Sequence, residues 1–447
     1  HFNQNPCNSI LSLYLSAFHF FVVTLQRKYS KYIAMKRIKV TSPQARIQTS
    51  IELPSSKSIC NRALIISALS KSTYHPENLS DCDDTRVMVE ALNNMPDEIN
   101  IMAAGTAMRF LTAYLSVSEG THTITGTKRM QQRPISILVD ALRTLGADIE
   151  YAAVEGFPPL RISGKKLTEN EVTLPGNVSS QYISALLMIG PMLENGLDLT
   201  LTGDIVSRPY INMTLKLMQE FGARAIWTDE NHLRVEAGPY KPIPYFVESD
   251  WSAASYWYEI CALSENAEIC LPGLFRHSLQ GDHKVADLFS NLGVETIFND
   301  RGVTLKKTVV KTERMDYDFV NQPDLAQTFV VTCALLGIPF RFEGLHNLKI
   351  KETDRIAALI AEMKKLGYQI EEKENAALSW DGNHTETAVA PVIDTYEDHR
   401  MAMAFAPACM RIKDLYINNP EVVSKSYPHY WENLTQAGFD IIMEEQE

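Results

Sequence analysis

The sequence lacks the short motifs that mark the common nucleotide-binding and metal-dependent enzymes. It has no GxGxxG turn after a strand, no GxxxxGK[ST] loop and no HExxH pair. These absences argue against a Rossmann domain, a Walker phosphate loop and a zincin-type metal site. The seven cysteines are an odd number and include no CxxC. We therefore expect buried thiols in a cytoplasmic protein rather than a disulfide framework.

The chain also has fewer basic residues than acidic ones. The chain has 42 Lys plus Arg against 54 Asp plus Glu, a formal charge of −12. A surface devoted to nucleic acid or to an acidic membrane needs a net or strongly clustered positive field. We therefore expect no nucleic-acid partner and no membrane partner. Small anionic ligands are not excluded, because they respond to local charge.

Residues 1–34 differ from the remainder of the chain. They contain three basic residues and no acidic one, and an apolar stretch of 16 residues runs from Ile10 to Leu25. That stretch is shorter than the roughly 20 residues of a membrane span, and no signal-peptide cleavage site is evident. We interpret residues 1–34 as a leader that is not native or is disordered, with a signal peptide or anchor as the alternative. Translation would then start at Met35, where MKRIKV predicts a strand and the charge becomes −15.

One pattern recurs along the chain: an amphipathic helix, a glycine at its end and then a short strand. Five glycines occupy this place at spacings of 76, 71, 74 and 71 residues, namely Gly146, Gly222, Gly293, Gly367 and Gly438. Helix C-termini favour a residue that tolerates positive φ, so each glycine predicts a helix end. A sixth, shortened copy starts at Arg86, with strands missing before Gly105. The sequence therefore predicts six repeated units in an α/β or α+β fold.

Polar residues interrupt these patterns where helices begin. In the first half, hydroxyl and basic groups stand in the segments LPSSKSICNRA, AAGTAMR, GTKRMQQRPI and GNVSSQY. Helix N-termini have free N–H groups and a positive dipole end, so basic side chains beside them predict anion sites. Ser58 and Arg62 share one helix face. The alternative interpretations are solvated surface charges and ordinary N-caps.

The second half carries the acid and base candidates. Asp324 precedes an apolar helix in NQPD, where a capping role alone would explain it. In KETDRI, Glu352 and Asp354 suit a helix start electrostatically, whereas Lys351 and Arg355 do not. The segments EDHR and SKSYP add further polar residues, namely Asp398, His399, Arg400 and Lys425. A histidine between charges is usually just a loop residue.

As a set, these segments resemble a known family. The motifs LPSSKSICNRA, AAGTAMR, KRMQQRPI, GNVSSQY, SRPYI, NQPD, KETDRI, EDHRMAMAF and SKSYP are similar, in the same order, to those of the 5-enolpyruvylshikimate-3-phosphate synthase family. The resemblance covers Met35 to the C-terminus. It implies two domains, each of three βαβαββ units around a pseudo-threefold axis, as an inside-out α/β barrel. Residues 35–54 and 250–447 would form one domain and residues 55–249 the other, with a hinge near 54–57 and 247–251.

The resemblance also implies an activity. The family transfers the carboxyvinyl group of phosphoenolpyruvate to the 5-hydroxyl of shikimate 3-phosphate, and phosphate leaves through addition and elimination. No cofactor and no metal are implied, and we expect a monomer.

Site residues follow motif by motif from the same resemblance. The shikimate-phosphate set would be Ser58, Arg62, Ser179, Ser180, Ser207, Asn347 and Lys351. The phosphoenolpyruvate set would be Gly105, Arg129, Arg355, Arg400 and Lys425, with Lys57 and Gln181 reaching both substrates. Asp324, which would also bind shikimate 3-phosphate, would take the hydroxyl proton, and Glu352 would protonate the methylene carbon. Lys57 would be the third catalytic residue.

Three positions depart from the usual family pattern. Ala103 replaces Asn, Phe110 replaces Pro, and Ser55 replaces Gly. We expect Ala103 and Phe110 to adjoin the phosphoenolpyruvate pocket. Two alternatives stay open at this point, the sister transferase that acts on UDP-N-acetylglucosamine and a non-catalytic repeat scaffold. The sister enzyme typically has a cysteine in the mobile loop, and GTKRMQQRPI has none.

Overall fold

A computed structural model of the chain describes residues 36–71 and 73–445. The predicted leader and the start at Met35 lie outside these residues. Within them the chain forms twenty strands, in chain order β1 (Lys36–Thr41), β2 (Ile47–Ser50), β3 (Glu98–Asn100), β4 (Gly120–Thr125), β5 (Asp148–Tyr151), β6 (Leu160–Gly164), β7 (Glu171–Pro175), β8 (Leu197–Thr202), β9 (Ala225–Trp227), β10 (His232–Val235), β11 (Ala267–Pro272), β12 (Val294–Asn299), β13 (Gly302–Lys307), β14 (Met315–Asp318), β15 (Phe340–Glu343), β16 (Glu371–Lys373), β17 (Ala377–Trp380), β18 (Val392–Ile393), β19 (Leu415–Asn418) and β20 (Asp440–Glu445).

Twelve α-helices alternate with these strands in the same described ranges. They are α1 (Lys57–Leu69), α2 (Asp83–Asn94), α3 (Gly105–Val117), α4 (Ser136–Thr144), α5 (Ser180–Ile189), α6 (Arg208–Glu220), α7 (Trp251–Leu263), α8 (Val285–Phe289), α9 (Ala326–Leu335), α10 (Arg355–Lys365), α11 (His399–Phe405) and α12 (Tyr430–Gln436). None of them has both the length and the apolar character needed to cross a membrane.

The strands of the described ranges pair into five four-stranded sheets with one common topology. The sheet orders are β2-β11-β13-β12, β14-β15-β17-β16, β18-β19-β1-β20, β3-β4-β6-β5 and β7-β8-β10-β9. In each sheet the first pair is parallel and the other two pairs are antiparallel. Two helices join the strands of every unit, which gives the predicted βαβαββ pattern. The α/β fold class is therefore confirmed.

The predicted repeat glycines close helices as expected. All five adopt positive φ, between 83° and 97°, a region that side chains with a Cβ rarely enter. The sixth, shortened copy is also present, because α2 is followed directly by β3 without a hairpin. Met95 occupies the glycine place there, with a φ of 41°. In this sixth unit an isolated bridge between Glu77 and Phe246 stands where the other units have full strands.

Apolar side chains collect in two large cores. The first core combines residues 38–53 with residues 251–439, and the second takes residues 63–240. The first helix of each unit is the most deeply buried one. In α9 and α11 every residue is buried, and in α7 only Ser252 is not. These helices are largely apolar, although a few polar residues, such as Glu259 of α7 and Thr332 of α9, are buried in their interiors.

The chain crosses between the two cores twice, and the two crossings pair with each other. Ser55 and Ser249 form an antiparallel bridge. The Ser56 N–H donates to the Glu248 carbonyl at 2.8 Å, and the Asp250 N–H donates to the Pro54 carbonyl at 2.9 Å. Both crossings therefore lie side by side at one place between the cores.

Candidate active site

A cavity of about 370 Å³, called the cleft below, is lined by residues that belong to both cores. The sequence predicts sixteen site residues, and fourteen of them line the cleft: Lys57, Ser58, Arg62, Gly105, Ser179, Ser180, Gln181, Ser207, Asp324, Asn347, Lys351, Glu352, Arg355 and Arg400. They come from segments spread over more than 340 positions of the chain. The fold thus brings together residues that the sequence connects only through their motifs.

The other two predicted residues, Arg129 and Lys425, do not line the cleft but contact Glu352. The Lys425 Nζ lies 2.7 Å from a carboxylate oxygen of Glu352. Arg129 donates a hydrogen bond to the Glu352 backbone carbonyl at 3.4 Å. Both cations therefore lie next to the cleft, where they contact Glu352, a residue that lines it.

The N-termini of all six buried first helices open into the cleft. The lining includes the first residues of these helices, or residues just before them: Lys57, Gly105, Ser180, Ser252, Asp324 and His399. A helix N-terminus has a partial positive charge, which the carboxylates of Asp250 and Asp398 offset at α7 and α11 by accepting from backbone N–H groups there. Convergence of the other four ends, together with basic side chains, makes this cleft suited to anionic ligands.

Arg62 is a buried cation held by neutral groups. It is 2% exposed and donates to the Thr214 hydroxyl at 2.7 Å and to the Ser184 hydroxyl at 3.0 Å. No carboxylate in the described ranges forms an ion pair with it, and burial lowers its pKa to about 10. A buried, uncompensated cation that faces a cleft favours an anion as ligand.

Lys57 differs, because it has an acidic partner. Its Nζ lies 3.4 Å from Asp84, and its backbone N–H donates to Asp250 at 3.3 Å. Burial lowers the pKa of Lys57, but Asp84, together with Cys82 and Glu352, outweighs this effect and the pKa is raised above its ordinary value. Lys57 is therefore charged, and it is fixed at the place where the two crossings meet.

Two arginines approach Gly105 so closely that a side chain there would have to displace their guanidinium groups. A Cβ at Gly105 would lie 2.6 Å from Nη1 of Arg109 and 2.7 Å from Nη1 of Arg133. Burial, followed by the repulsion of Arg109, lowers the pKa of Arg133 to about 10. Gln181 closes the same corner by donating to the Thr106 hydroxyl at 3.0 Å. The arrangement is a second cationic corner, distinct from that of Arg62.

Asp324 is not a helix cap, so the alternative explanation from the sequence is wrong. It lies in a short 3₁₀ turn before α9, and its carboxylate contacts cations instead. One oxygen is 2.9 Å from Arg400, and the other is 3.2 Å from Arg355. Burial would raise the pKa of Asp324, but Arg400 and Lys351, with smaller contributions from other cations, hold it well below its ordinary value.

Glu352 and Asp398 surround Arg355 together with Asp324. The Arg355 guanidinium lies 3.0 Å from Glu352 and 2.6 Å from Asp398, and it is 2% exposed. Burial would raise the pKa of Glu352, but Lys425 and Arg355 hold it well below its ordinary value. One buried arginine thus fixes three carboxylates, two of which line the cleft.

His399 is a helix residue rather than the loop residue that the sequence suggested. It begins α11, lines the cleft and is 1% exposed. Neither ring nitrogen has a hydrogen-bond partner in the described ranges. Burial, followed by the repulsion of Lys57 and Arg400, lowers its pKa well below the ordinary value, so the ring is neutral.

Asp354 has a structural role, unlike its neighbours in KETDRI. Its carboxylate accepts from the N–H groups of Ile356 and Ala357, both at 3.1 Å, and so caps α10. Asp354→Ala should therefore lower the free energy of unfolding by about 1 kcal/mol, with kcat unchanged. Chemical denaturation and steady-state kinetics measure the two effects. A fall in kcat without a loss of stability would contradict this assignment.

Some cleft residues escaped the sequence analysis. Asp84, Asp250 and Tyr210 line the cleft but were not predicted. Asp84 stands in the acidic run SDCDD, and Tyr210 stands in SRPYI next to the predicted Ser207. Acidic residues at a helix start are commonly explained by their favourable interaction with the helix dipole alone. The acidic run therefore did not indicate that Asp84 pairs with a lysine.

The three departures from the family pattern lie near the cleft without lining it. Phe110 is fully buried, and its ring centre is 5.2 Å from the Arg62 guanidinium. Phe110 thus contacts a residue of the predicted shikimate-phosphate set, and its place beside the phosphoenolpyruvate pocket stays a prediction. Ala103 is exposed, and Ser55 takes part in the paired crossings.

Comparison with known proteins gives a consistent result. The family described as EPSP synthase (3-phosphoshikimate 1-carboxyvinyltransferase) matches residues 41–101 and 94–434. A 3-phosphoshikimate 1-carboxyvinyltransferase from Bacteroides fragilis is 64% identical over 405 residues, which cover 91% of this chain and 99% of that protein. A protein of the same name from Vibrio cholerae is 35% identical over 88% of this chain and 98% of its own length.

A solved structure is also similar in its fold. The EPSP synthase of Acinetobacter baumannii superposes with a TM-score of 0.73, over 92% of this chain and all of that chain. Its sequence identity to this chain is 20%, so the likeness concerns the fold.

Proposed function

The chain belongs to the EPSP synthase family, and from this we propose how its cleft carries out the family reaction. It has 3-phosphoshikimate 1-carboxyvinyltransferase activity and is a transferase of the shikimate pathway that uses phosphoenolpyruvate. Its substrates are therefore shikimate 3-phosphate and phosphoenolpyruvate, two small anions.

Shikimate 3-phosphate would bind on the side of Arg62. The phosphate group would meet the uncompensated guanidinium and the N-terminus of α5, where Ser179, Ser180 and Gln181 supply polar groups. Ser58 and Ser207 would complete the phosphate end, while Asn347 and Lys351 would hold the ring hydroxyls. The burial of Arg62 without a carboxylate partner supports this placement.

Phosphoenolpyruvate would bind on the other side, near Gly105. Its carboxylate and phosphate would engage Arg355, Arg400, Arg129 and Lys425, with Lys57 and Gln181 between the two substrates. The close approach of Arg109 and Arg133 to Gly105 supports an anion at this corner. Both arginines lack a carboxylate partner within the described ranges, so a ligand anion would relieve their repulsion.

Asp324 and Glu352 would perform the proton transfers. The 5-hydroxyl oxygen attacks the C2 atom of phosphoenolpyruvate while Asp324 takes the hydroxyl proton and Glu352 gives a proton to the methylene carbon. In the second step Glu352 takes a proton back from the new methyl group and the double bond is restored. Phosphate leaves with the electron pair of its C–O bond and takes the proton from Asp324, which returns both acids to their first state. The observation that carries this proposal is that the Arg355 guanidinium holds both carboxylates, at 3.2 Å and 3.0 Å.

Substrate charge would activate both acids. Without substrate, the cations around Asp324 and Glu352 depress the pKa of each carboxyl group. The anions of phosphoenolpyruvate would share the same cations and weaken that effect. The pKa of Asp324 would then rise, which makes it a stronger base, and the pKa of Glu352 would rise, which makes the proton donor available.

We also propose the predicted domain division, with residues 35–54 and 250–447 in one domain and residues 55–249 in the other. The two separate cores and the paired crossings at 54–57 and 247–251 support it. Two adjacent crossings would allow the domains to close as hinged bodies over the substrates.

A monomeric state and a cytoplasmic location complete the proposal. The monomer is supported by a cleft whose predicted residues all come from one chain. The location is supported by the six unpaired cysteines of the described ranges. Light scattering after size-exclusion chromatography measures the mass, and a dimer would contradict the first point.

Phosphate release tests the function directly. The purified chain should release phosphate from phosphoenolpyruvate when shikimate 3-phosphate is added and should release none without it. UDP-N-acetylglucosamine in place of shikimate 3-phosphate is the control acceptor. Release with that acceptor instead, or with neither one, would overturn the proposed function.

A further inference from the structure

A turn formed by Gln280, Gly281 and Asp282, called the QGD turn below, lies beside the cleft and was not singled out by the sequence. Its first residue, Gln280, forms hydrogen bonds to the second crossing, residues 247–251. The Gln280 side chain accepts a hydrogen bond from the Trp251 N–H at 3.0 Å and donates to the Ser249 carbonyl at 2.8 Å. The side chain is 4% exposed, so these bonds are shielded from water.

The second residue of the QGD turn meets the other core. A Cβ at Gly281 would lie 2.5 Å from the Cβ of Pro209, in the first turn of α6. The glycine therefore permits a close approach between a turn packed on α7 of the first core and a helix of the second core. Next to Pro209 stands Tyr210, which lines the cleft.

Asp282, the third residue, connects the two sides by hydrogen bonds. The Tyr210 hydroxyl lies 3.5 Å from both of its carboxylate oxygens, and the Ser252 hydroxyl donates to one of them. Tyr210 and Ser252 line the cleft, whereas Asp282 is 3% exposed and stands behind them. It has no ion pair with lysine or arginine in the described part of the chain, so its partners there are hydroxyl groups.

Tyr210 stands on the side proposed for shikimate 3-phosphate. Its N–H donates to the Ser207 carbonyl at 3.0 Å, and its own carbonyl lies 3.5 Å from the Arg62 guanidinium. Tyr210, Ser207 and Arg62 all line the cleft, so the Tyr210 side chain forms part of the wall on this side.

We propose that Asp282 is a positioning residue for the known reaction: by holding the Tyr210 hydroxyl, it sets the shape of the shikimate 3-phosphate pocket when the two cores approach each other. This inference rests on the proposed function. In the proposed reaction Asp282 contacts none of the reacting atoms. Its effect passes through Tyr210, so loss of either residue should have the same consequence.

Steady-state kinetics of the full chain test this with Asp282→Ala, which removes the acceptor oxygens, with Tyr210→Phe and with the double variant. Each single variant should raise KM for shikimate 3-phosphate about 3- to 10-fold, the effect of losing one hydrogen bond. KM for phosphoenolpyruvate should change less than about twofold. The double variant should be no worse than the worse single variant, because the two residues act in one chain of contacts.

Asp287→Ala is the matched control, because Asp287 follows the same turn, is exposed and pairs with Lys284. It should leave both KM values unchanged. Equal rises in both KM values for Asp282→Ala, or multiplied effects in the double variant, would overturn the proposal. A wild-type chain that releases no phosphate with shikimate 3-phosphate would overturn the proposed function instead.

The pH dependence of stability gives a second measurement. Burial, and then the charge of Asp324, raises the pKa of Asp282 to about 7. The charged and titratable groups facing it are Tyr210, Tyr317, Asp250, Asp324 and Arg400. Because the folded state binds this proton more tightly than the unfolded state, the contribution of Asp282 to stability falls as pH rises from about 4 to about 7.

Asp282→Asn removes the pH dependence of stability that comes from Asp282, and it keeps the shape of the side chain. The melting temperature of the variant relative to wild type should therefore rise between pH 5 and pH 8. A melting-temperature difference that stays constant over this range would show that Asp282 titrates like an exposed aspartate, which would contradict its buried position among hydroxyl groups. Asp287→Asn serves as the control, because its melting temperature relative to wild type should not change with pH.

Discussion

Asp324→Ala should lower kcat about 10²- to 10⁴-fold, the usual contribution of a general base. Turnover should suffer far more than substrate affinity, because Asp324 is proposed to take the 5-hydroxyl proton as the new C–O bond forms. KM for phosphoenolpyruvate should stay constant or fall. Removal of this carboxylate leaves Arg400 and Arg355 with one fewer partner, so they become more available to the substrate anion.

Steady-state kinetics with both substrates varied will measure this effect. Asp324→Asn keeps the size of the side chain and separates the loss of the base from the loss of packing. Asp316→Ala is the matched control, because Asp316 is an exposed aspartate nearby that pairs with Arg314. A rise in KM with an unchanged kcat would show that Asp324 binds substrate rather than accepting a proton.

Glu352→Gln should lower kcat by a similar factor, about 10²- to 10⁴-fold, for a different reason. Glutamine keeps the side-chain length and can still accept a hydrogen bond from Arg355 or Lys425, but it cannot donate a proton to carbon. Glu343→Gln is the control on an exposed glutamate that pairs with Arg341.

Hydrogen exchange distinguishes the two acids. When the wild-type chain turns over in deuterated water, the transient methyl group contains solvent deuterium, which should appear in the vinyl group of the product. Glu352→Gln should lose this incorporation along with turnover. Incorporation that persists per turnover would identify another group as the proton donor and contradict the role of Glu352.

The sequence predicted the repeat because its signal is local. The second helix of each full unit ends in a residue with positive φ, so Gly146 and Gly438 mark the same geometry nearly 300 residues apart. Met95 shows the limit of that rule, since a non-glycine residue takes the same conformation in the shortened unit. Packing around α2 holds it there, and no local pattern indicates such packing.

The site residues were predicted from sequence motifs, and most of these motif residues do line the cleft. Residues whose role depends on a contact with another residue were not predicted. Asp84 is defined by its contact with Lys57, and Asp282 is defined by its contact with Tyr210, 72 positions away. The acidic residues of KETDRI show the same difficulty, because spacing did not separate Glu352, in the cleft, from Asp354, a helix cap.

The placement of β1 has a consequence for how the chain is made. This strand, the first of the described ranges, lies inside its sheet between β19 and β20, which come from the last residues of the chain. At about 5–20 residues per second, synthesis keeps β1 without partners for about 20–80 seconds. The segment between the two crossings can complete its own core meanwhile. Loss of β20 would leave β1 as an open edge, so β20 must be synthesised before β1 can take its place inside the sheet.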